Sequence, residues 1–418
     1  MGHGIYIHWL RNALCKTIRL DLIFSQPLSK PENALGALVS RLGERGTVNL
    51  PTMQEVGRAV DQLYGAFLST DVSVLGNRHL LNVSLEVLSP QYVEKNDRSG
   101  LLLKALDIVR QIAMDPLTEG GQFRERYVEQ ERQALRDQTT SIYGDKMAYA
   151  LGRCADEVDG KRITPLGSDE DIKKIDAGSL LPFHRELLQR SEVHFYFSGG
   201  VTAEDVISVS RRVPLWFRAV ERVHLSIEGP AEDSLNSLNF GRHIYERGQT
   251  KQGKLVYGVQ LPIARDLRSH VALLLFNALL GGEGTSFLYR YLREEKRLCY
   301  FIQSQVDPLL GKGYIQASVE REDYQRALEE INRGIDDLKG GRVSEQDWTR
   351  ARTLLGHRLA VLREDRDSLQ RLSLCSQISG YSMPLSEMEY HLATLKLKEI
   401  VEVASRLTPT ITYFLYGN

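Results

Sequence analysis

Cysteine is scarce in this chain: Cys15, Cys154, Cys299 and Cys375 are scattered over 418 residues with no Cys-x-x-Cys pair. That spacing excludes a disulfide framework and a cysteine zinc site, so the four read as buried thiols. No 18-residue apolar run is present to span a membrane, and no basic-then-apolar leader ends in small residues. The expectation is therefore a cytoplasmic chain without a membrane partner. Charge of one sign is missing too. The 53 basic side chains face 54 acidic ones, with no basic stripe interleaved with aromatics, so nucleic acid is not an expected partner.

Chemistry-bearing motifs are equally sparse. None of the ten histidines has a second histidine four residues on, the helical spacing of a zinc pair. His3 and His8 lie near the terminus, His79 and His194 fall in expected strands, and His184, His224, His243, His270, His357 and His391 stand alone. All read as surface or satisfied core residues. There is no Gly-x-Ser-x-Gly elbow and no Gly-Lys-Ser/Thr phosphate loop, which leaves nucleophilic and nucleotide chemistry without support.

What the chain does contain is a length too great for one core and an internal echo. Leu42-Gly-Glu-Arg-Gly-Thr47 is answered by Leu280-Gly-Gly-Glu-Gly-Thr285. Each closes an apolar helix, 33–42 and 269–280, with glycine where a helix C-terminus turns. Each helix follows a strand, 17–24 and 254–261, and precedes a second helix and two further strands. Those strands are 66–74 and 79–88 in the first half, 298–306 and 313–319 in the second. In 79–88, Leu81, Val83, Leu85 and Val87 alternate onto one face. Paired helices follow, 101–114 with 123–141 and 324–338 with 344–363. Both halves end on an aromatic strand, Val193-His-Phe-Tyr-Phe-Ser-Gly199 and Thr410-Ile-Thr-Tyr-Phe-Leu-Tyr-Gly417. The expected class is α+β, in two tandem homologous domains, each a mostly antiparallel sheet with helices on one face. We place them at 1–205 and 251–418, joined by a polar linker over 206–250 that carries Gly229-Pro230.

This order of elements resembles the M16 peptidases, the pitrilysin, insulinase and mitochondrial processing peptidase family. The resemblance extends over nearly the whole chain. Catalytic members carry His-x-x-Glu-His on the first long helix, shortly before a Gly-Thr, and a third zinc ligand farther on. Counting back from Gly46-Thr47 puts that motif on Ala37-Leu-Val-Ser40-Arg41, and the third ligand near Gln138 in Glu131-Arg-Gln-Ala-Leu-Arg-Asp-Gln138. Alanine offers no lone pair, serine is no general base near neutral pH, and arginine is a cation. The resemblance thus implies a zinc-less bacterial member that holds no metal of its own. Asp137 and Glu131 lie near Gln138, but carboxylates without two histidines make no zinc site.

The second half keeps a different feature. In Leu292-Arg293-Glu-Glu-Lys-Arg-Leu-Cys-Tyr300, Arg293 and Tyr300 stand seven apart. The resemblance makes them the pair that M16 peptidases send toward the zinc site of an opposing domain. There a guanidinium grips substrate carbonyls and a phenol stabilises an oxyanion. The glycine-rich Gly281, Gly282 and Gly284 resemble the loop of the non-catalytic mitochondrial subunit, and also fit a helix C-cap. The implied function is a non-catalytic subunit that gives substrate-binding Arg293 and Tyr300 to a zinc-bearing M16 partner in a heterodimer acting on peptides. A non-enzymatic scaffold and a peptide-binding module are the alternatives. One expectation follows from Ala37, Ser40 and Arg41 alone. The isolated chain, loaded with zinc and dialysed, should retain far less than one equivalent by elemental analysis and cleave no unstructured peptide. Stoichiometric zinc with chelator-sensitive cleavage would sink it.

Overall fold

The structure, a computed structural model, describes residues 4–12, 15–96, 98–141, 144–159, 164–217, 241–282 and 284–417. His3, His224, Glu283 and Gly229-Pro230 lie outside the described residues. The chain divides into two compact units. The first comprises Met1–Thr140 and Ile163–Leu225, the second Ser141–Arg162 and Ser226–Asn418.

In the first unit, strands β1 (Ile5–Arg11), β2 (Thr17–Pro27), β3 (Phe67–Leu75) and β4 (Arg78–Leu88) join a later strand in one sheet. Two short strands, β5 (Thr118–Glu119) and β6 (Gln122–Phe123), form a separate hairpin, and β7 (Glu192–Gly199) completes the sheet. Its order is β1-β7-β2-β4-β3, antiparallel except where β1 runs parallel to β7. Ile18, Leu20, Leu22 and Phe24 of the central strand alternate onto one face and are almost wholly buried. They share a core with helices Lys30–Gly43, Arg98–Met114 and Ala177–Arg190.

The second unit contains β8 (Arg242–Arg247), β9 (Gly253–Gln260), β10 (Cys299–Asp307), β11 (Lys312–Val319) and β12 (Thr408–Tyr416). Its order is β10-β11-β9-β12-β8, with β12 and β8 as the parallel pair. Read from the other edge, this is the topology of the first sheet, strand for strand. The long helix after the central strand is again present, as Leu267–Leu280 with Asp266 capping its first turn. The two echoing Gly-Thr segments therefore close equivalent helices, and both sheets are mostly antiparallel α+β layers.

Two strands escaped the sequence reading. β1 lies where a terminus was expected, and β8 lies within 206–250, the segment read as a linker. Helix Ala203–Trp216 also extends into that segment, opened by a Thr202–Asp205 capping box. A third feature is long-range. Helix Lys146–Asp159 packs on the second sheet, where Ala150 and Cys154 meet Val256, Ile411, Tyr413 and Leu415. The second sheet is thus covered on its other face as well, and β12 is buried from Thr410 to Leu415. Glu246 pins the helix there, accepting hydrogen bonds from Tyr149 (2.6 Å) and Tyr413 (2.6 Å).

Histidine burial makes stability depend on pH. Desolvation pushes His8, His79 and His270 down to about 4, and His194 to about 3 with help from His8 and Arg78. The His79 Nε2–H donates to the Pro165 carbonyl at 2.9 Å, and His8 and His194 share a 3.1 Å hydrogen bond. Each ring is held neutral in the fold, whereas in the unfolded chain it protonates near the usual 6.5. Stability is therefore fully present above that pH and lost as pH falls from about 6.5 toward 4, by about 1.4 kcal/mol per unit for each such histidine. Urea denaturation between pH 7.5 and 5 should show this decline, and His79→Gln should make it shallower. A flat profile would refute the assignment.

Candidate functional site

The first site is built on helix Lys30–Gly43. Gly36 lets that helix approach β4 closely, since a Cβ there would lie 2.9 Å from the His79 ring. Ala37, one residue on, is consequently sealed in the core at 1% exposure. Ser40 turns its hydroxyl toward the Asp71 carbonyl on β3, at 3.5 Å. Past the helix, Gly46 has φ 149, and a Cβ would strike the backbone of Leu50 and Pro51. Thr47 is then fully buried, its hydroxyl 3.2 Å from Gln111 Oε1. The Gly-Thr pair fixes a tight turn.

Arg41 carries the most information. Its guanidinium donates to Glu131 Oε2 at 3.3 Å and also to Gln138 Oε1, so the structure brings Arg41 and Gln138 together. Both acceptors lie on helix Glu125–Ser141. Arg45, which sequence reasoning missed, adds Nε to Glu131 Oε1 at 2.6 Å. The buried Glu131 thus accepts from two guanidinium groups. Asp137 instead accepts from Gln133 at 2.8 Å and takes no part. These positions do not fit zinc: they offer an alanine, a hydroxyl turned onto backbone, a cation and an amide already bonded to that cation. Among the described residues, no cluster of three or more His, Cys, Asp or Glu suits a metal. None of their helices is long and apolar enough to cross a membrane.

Arg293 and Tyr300 belong to the second unit. Helix residues Tyr289–Glu295 follow the wide i→i+5 pattern, with Lys296 N–H bonding the Tyr291 carbonyl at 3.2 Å. Arg297 then adopts φ 53, unusual for a residue with a side chain, and Leu298 N–H reaches back to the Leu292 carbonyl at 2.7 Å. The left-handed residue and this long reach-back bond end the helix without a glycine. They reverse the chain so that β10 begins beside the helix. The register of β10 shifts between Cys299 and Phe301, and Tyr300 stands 77% exposed. The Arg293 guanidinium lies 5.1 Å from the Tyr300 ring centre and 4.9 Å from that of Tyr289. Tyr289 was missed from the sequence, although its four-residue spacing from Arg293 on a helix was the available signal. Between these residues, burial pushes the Cys299 thiol up to about 11, which keeps it protonated and inert.

The glycine loop is closely packed at two of its three glycines. A Cβ on Gly281 would sit 2.8 Å from Ser304 Oγ, and one on Gly282 would sit 2.8 Å from Asn277 Nδ2. Both amides bond the Asn277 carbonyl, at 3.1 and 2.8 Å, as a helix C-cap. Only at Gly284 is there open space.

The ion-pair cluster in the first unit makes a testable case. Glu131→Gln should lower stability by about 2 kcal/mol, because two guanidinium groups lose a charged acceptor. Gln138→Ala should cost less than about half of that. A double-mutant cycle between Arg41 and Glu131 in urea should give a clear coupling energy. Additive effects would reduce the contact to a surface pair.

Comparison with known proteins agrees with this geometry. Residues 174–355 match the family model described as Peptidase M16 inactive domain. A Bacillus subtilis protein described as probable inactive metalloprotease YmfF is 25% identical over 417 residues, covering 99% of this chain and 96% of its own. In fold, a conserved protein from Enterococcus faecalis superposes with TM-score 0.89 at 22% identity, covering 100% of this chain and 97% of that one. A peptidase M16 inactive domain from Pseudomonas fluorescens superposes with TM-score 0.76 at 14% identity, covering 99% and 96%. The chain thus has the M16-like fold, matches the peptidase M16 inactive-domain model over residues 174–355, and is similar along its whole length to a relative described as a probable inactive metalloprotease.

Proposed function

We propose that this chain is the non-catalytic subunit of a heterodimeric M16-type zinc peptidase. In this reading it lends Arg293 and Tyr300 to a zinc-bearing M16 homologue in the cytoplasm that hydrolyses peptides. The observation that carries it is the pairing itself. A reversed helix end sets a guanidinium against a phenol whose hydroxyl faces solvent, and the rest of the cluster does not consume either group. The partner's zinc would supply the activated water. Arg293 would hold the peptide through its in-plane N–H donors, and Tyr300 would donate its hydroxyl proton to the carbonyl oxygen as negative charge develops there. Neither task needs a metal in this chain, which is consistent with the loss at Ala37, Ser40 and Arg41.

The test begins with the protein that co-purifies with this chain from its native source, whose sequence should contain His-x-x-Glu-His. In the reconstituted pair, Tyr300→Phe keeps the ring and removes one donor, so assembly should persist by gel filtration while kcat falls about 10²–10³-fold. Arg293→Ala should raise KM as well, with part of the effect traceable to lost stem packing. Wild-type kinetics in both assembled variants would replace this reading with a scaffold or a peptide-binding module.

A further inference from the structure

We propose that Tyr289, Arg293 and Tyr300 form an aromatic-clamped guanidinium site that takes a carboxylate of an extended peptide, either an acidic side chain or a free C-terminus. This deepens the substrate-binding reading of Arg293 and rests on it for the site's location, but the chemistry of the ligand is argued from the charges around it.

The segment is rich in cations, and four of the neighbouring ones have acidic partners. Arg290 is bound to Asp347 at 3.0 and 3.2 Å, and Arg342 to Asp337 at 2.5 Å. Arg333 is bound to Glu330 at 3.0 Å and Glu295 at 3.5 Å, and Lys296 lies 3.9 Å from Glu330. Among the described residues, Arg293 has no carboxylate within ion-pair distance; its neighbours are the two rings, 4.9 and 5.1 Å from its guanidinium carbon. A ring face attracts a guanidinium through its π electrons rather than through an oxygen acceptor. The two rings thus restrain the group without an oxygen acceptor. A planar fork with free donors matches the two oxygens of a carboxylate, which it binds in parallel hydrogen bonds. A lone backbone carbonyl satisfies only part of it. The half-buried Tyr289 shields one face from water, which strengthens a charge-assisted bond formed at the rim. Tyr289 is thus a positioning residue, and Arg293 the group that touches the ligand.

The experiment uses the whole chain and three labelled versions of one short extended peptide, read by fluorescence anisotropy at low salt. The first carries a central Gln and an amidated C-terminus, the second replaces that Gln by Glu, and the third keeps Gln with a free C-terminal carboxylate. At least one carboxylate peptide should bind about tenfold tighter than the neutral one, and which one does so identifies the source. Arg293→Lys should abolish the preference, because an ammonium is a point charge rather than a fork. Tyr289→Leu should weaken it, and Tyr289→Phe should restore it. Equal binding of all three peptides would overturn the proposal. If Arg293→Ala then weakened all three alike, backbone gripping by the proposed subunit would still stand. A carboxylate preference that survives Arg293→Ala would also overturn it, by assigning the preference to another cation. Failure of every peptide to bind would overturn it as well, leaving the Tyr300→Phe turnover measurement to decide the subunit reading separately.

Discussion

Each unit depends on burying one apolar face of a five-stranded sheet under the helix that directly follows its central strand. In the first unit, Ile18, Leu20, Leu22 and Phe24 can leave water only if helix Lys30–Gly43 lies against them, and Gly36 permits that approach. The same requirement places Leu267–Leu280 against the second sheet, and that helix is almost wholly buried. Because this burial supplies the stability, the fold does not require a metal. A catalytic zinc site of the M16 kind is an addition to such a scaffold. Ala37, Ser40 and Arg41, where the resemblance would put that site, hold no metal ligand, and the sheet beside them has the same strand order as the second sheet.

The same region of the first unit carries an electrostatic demand of its own. Glu131 is 7% exposed, and a carboxylate so buried needs a cation close by. Arg41 and Arg45 meet that need from the end of the first helix and the turn after it, and Arg41 reaches Gln138 in the same span. A guanidinium thereby links the two helices that the resemblance makes the carriers of a zinc site. A guanidinium is a donor only and cannot ligate zinc, so Arg41 joins these helices without a metal.

Much of this was legible in the sequence because the signals are local. Alternation in 79–88, glycines after apolar helices and a repeated order of elements each arise within a few residues, and together they placed most of the strands to within a few residues. What stayed hidden depends on partners far along the chain. β1 pairs with β7 nearly the length of the first half away, so no hairpin turn announces it. β8 is an edge strand whose alternate residues face solvent, which makes Arg242–Arg247 resemble a polar linker. Helix Lys146–Asp159 lies in sequence between the strands of the first sheet yet buries Ala150 and Cys154 against the second. No local pattern specifies which sheet a helix will choose. At the site, the spacing of Arg293 and Tyr300 was readable, whereas the cluster of Arg45 with Glu131 required the packing of two helices to be known.

The strained helix end in the second unit is held by contacts that do not involve the Arg293 guanidinium, which suits the ligand role proposed for it. A wide helical turn and a left-handed Arg297 each carry a conformational cost, of about 1–2 kcal/mol for the latter. That cost has to be offset by contacts around the segment. Tyr291 donates to Asp337 at 2.6 Å, Asp337 is also held by Arg342, and Arg290 joins Asp347, whose backbone N–H donates to the Ser344 hydroxyl that caps the following helix. Arg333 lies 4.2 Å from the Tyr291 ring on the far side of the same network. With these groups anchoring the turn, Arg293 carries none of its structural load. Its position is fixed by neighbours that do not compete for its donors, which is the arrangement a binding arginine needs if ordering it is not to weaken the interaction it makes.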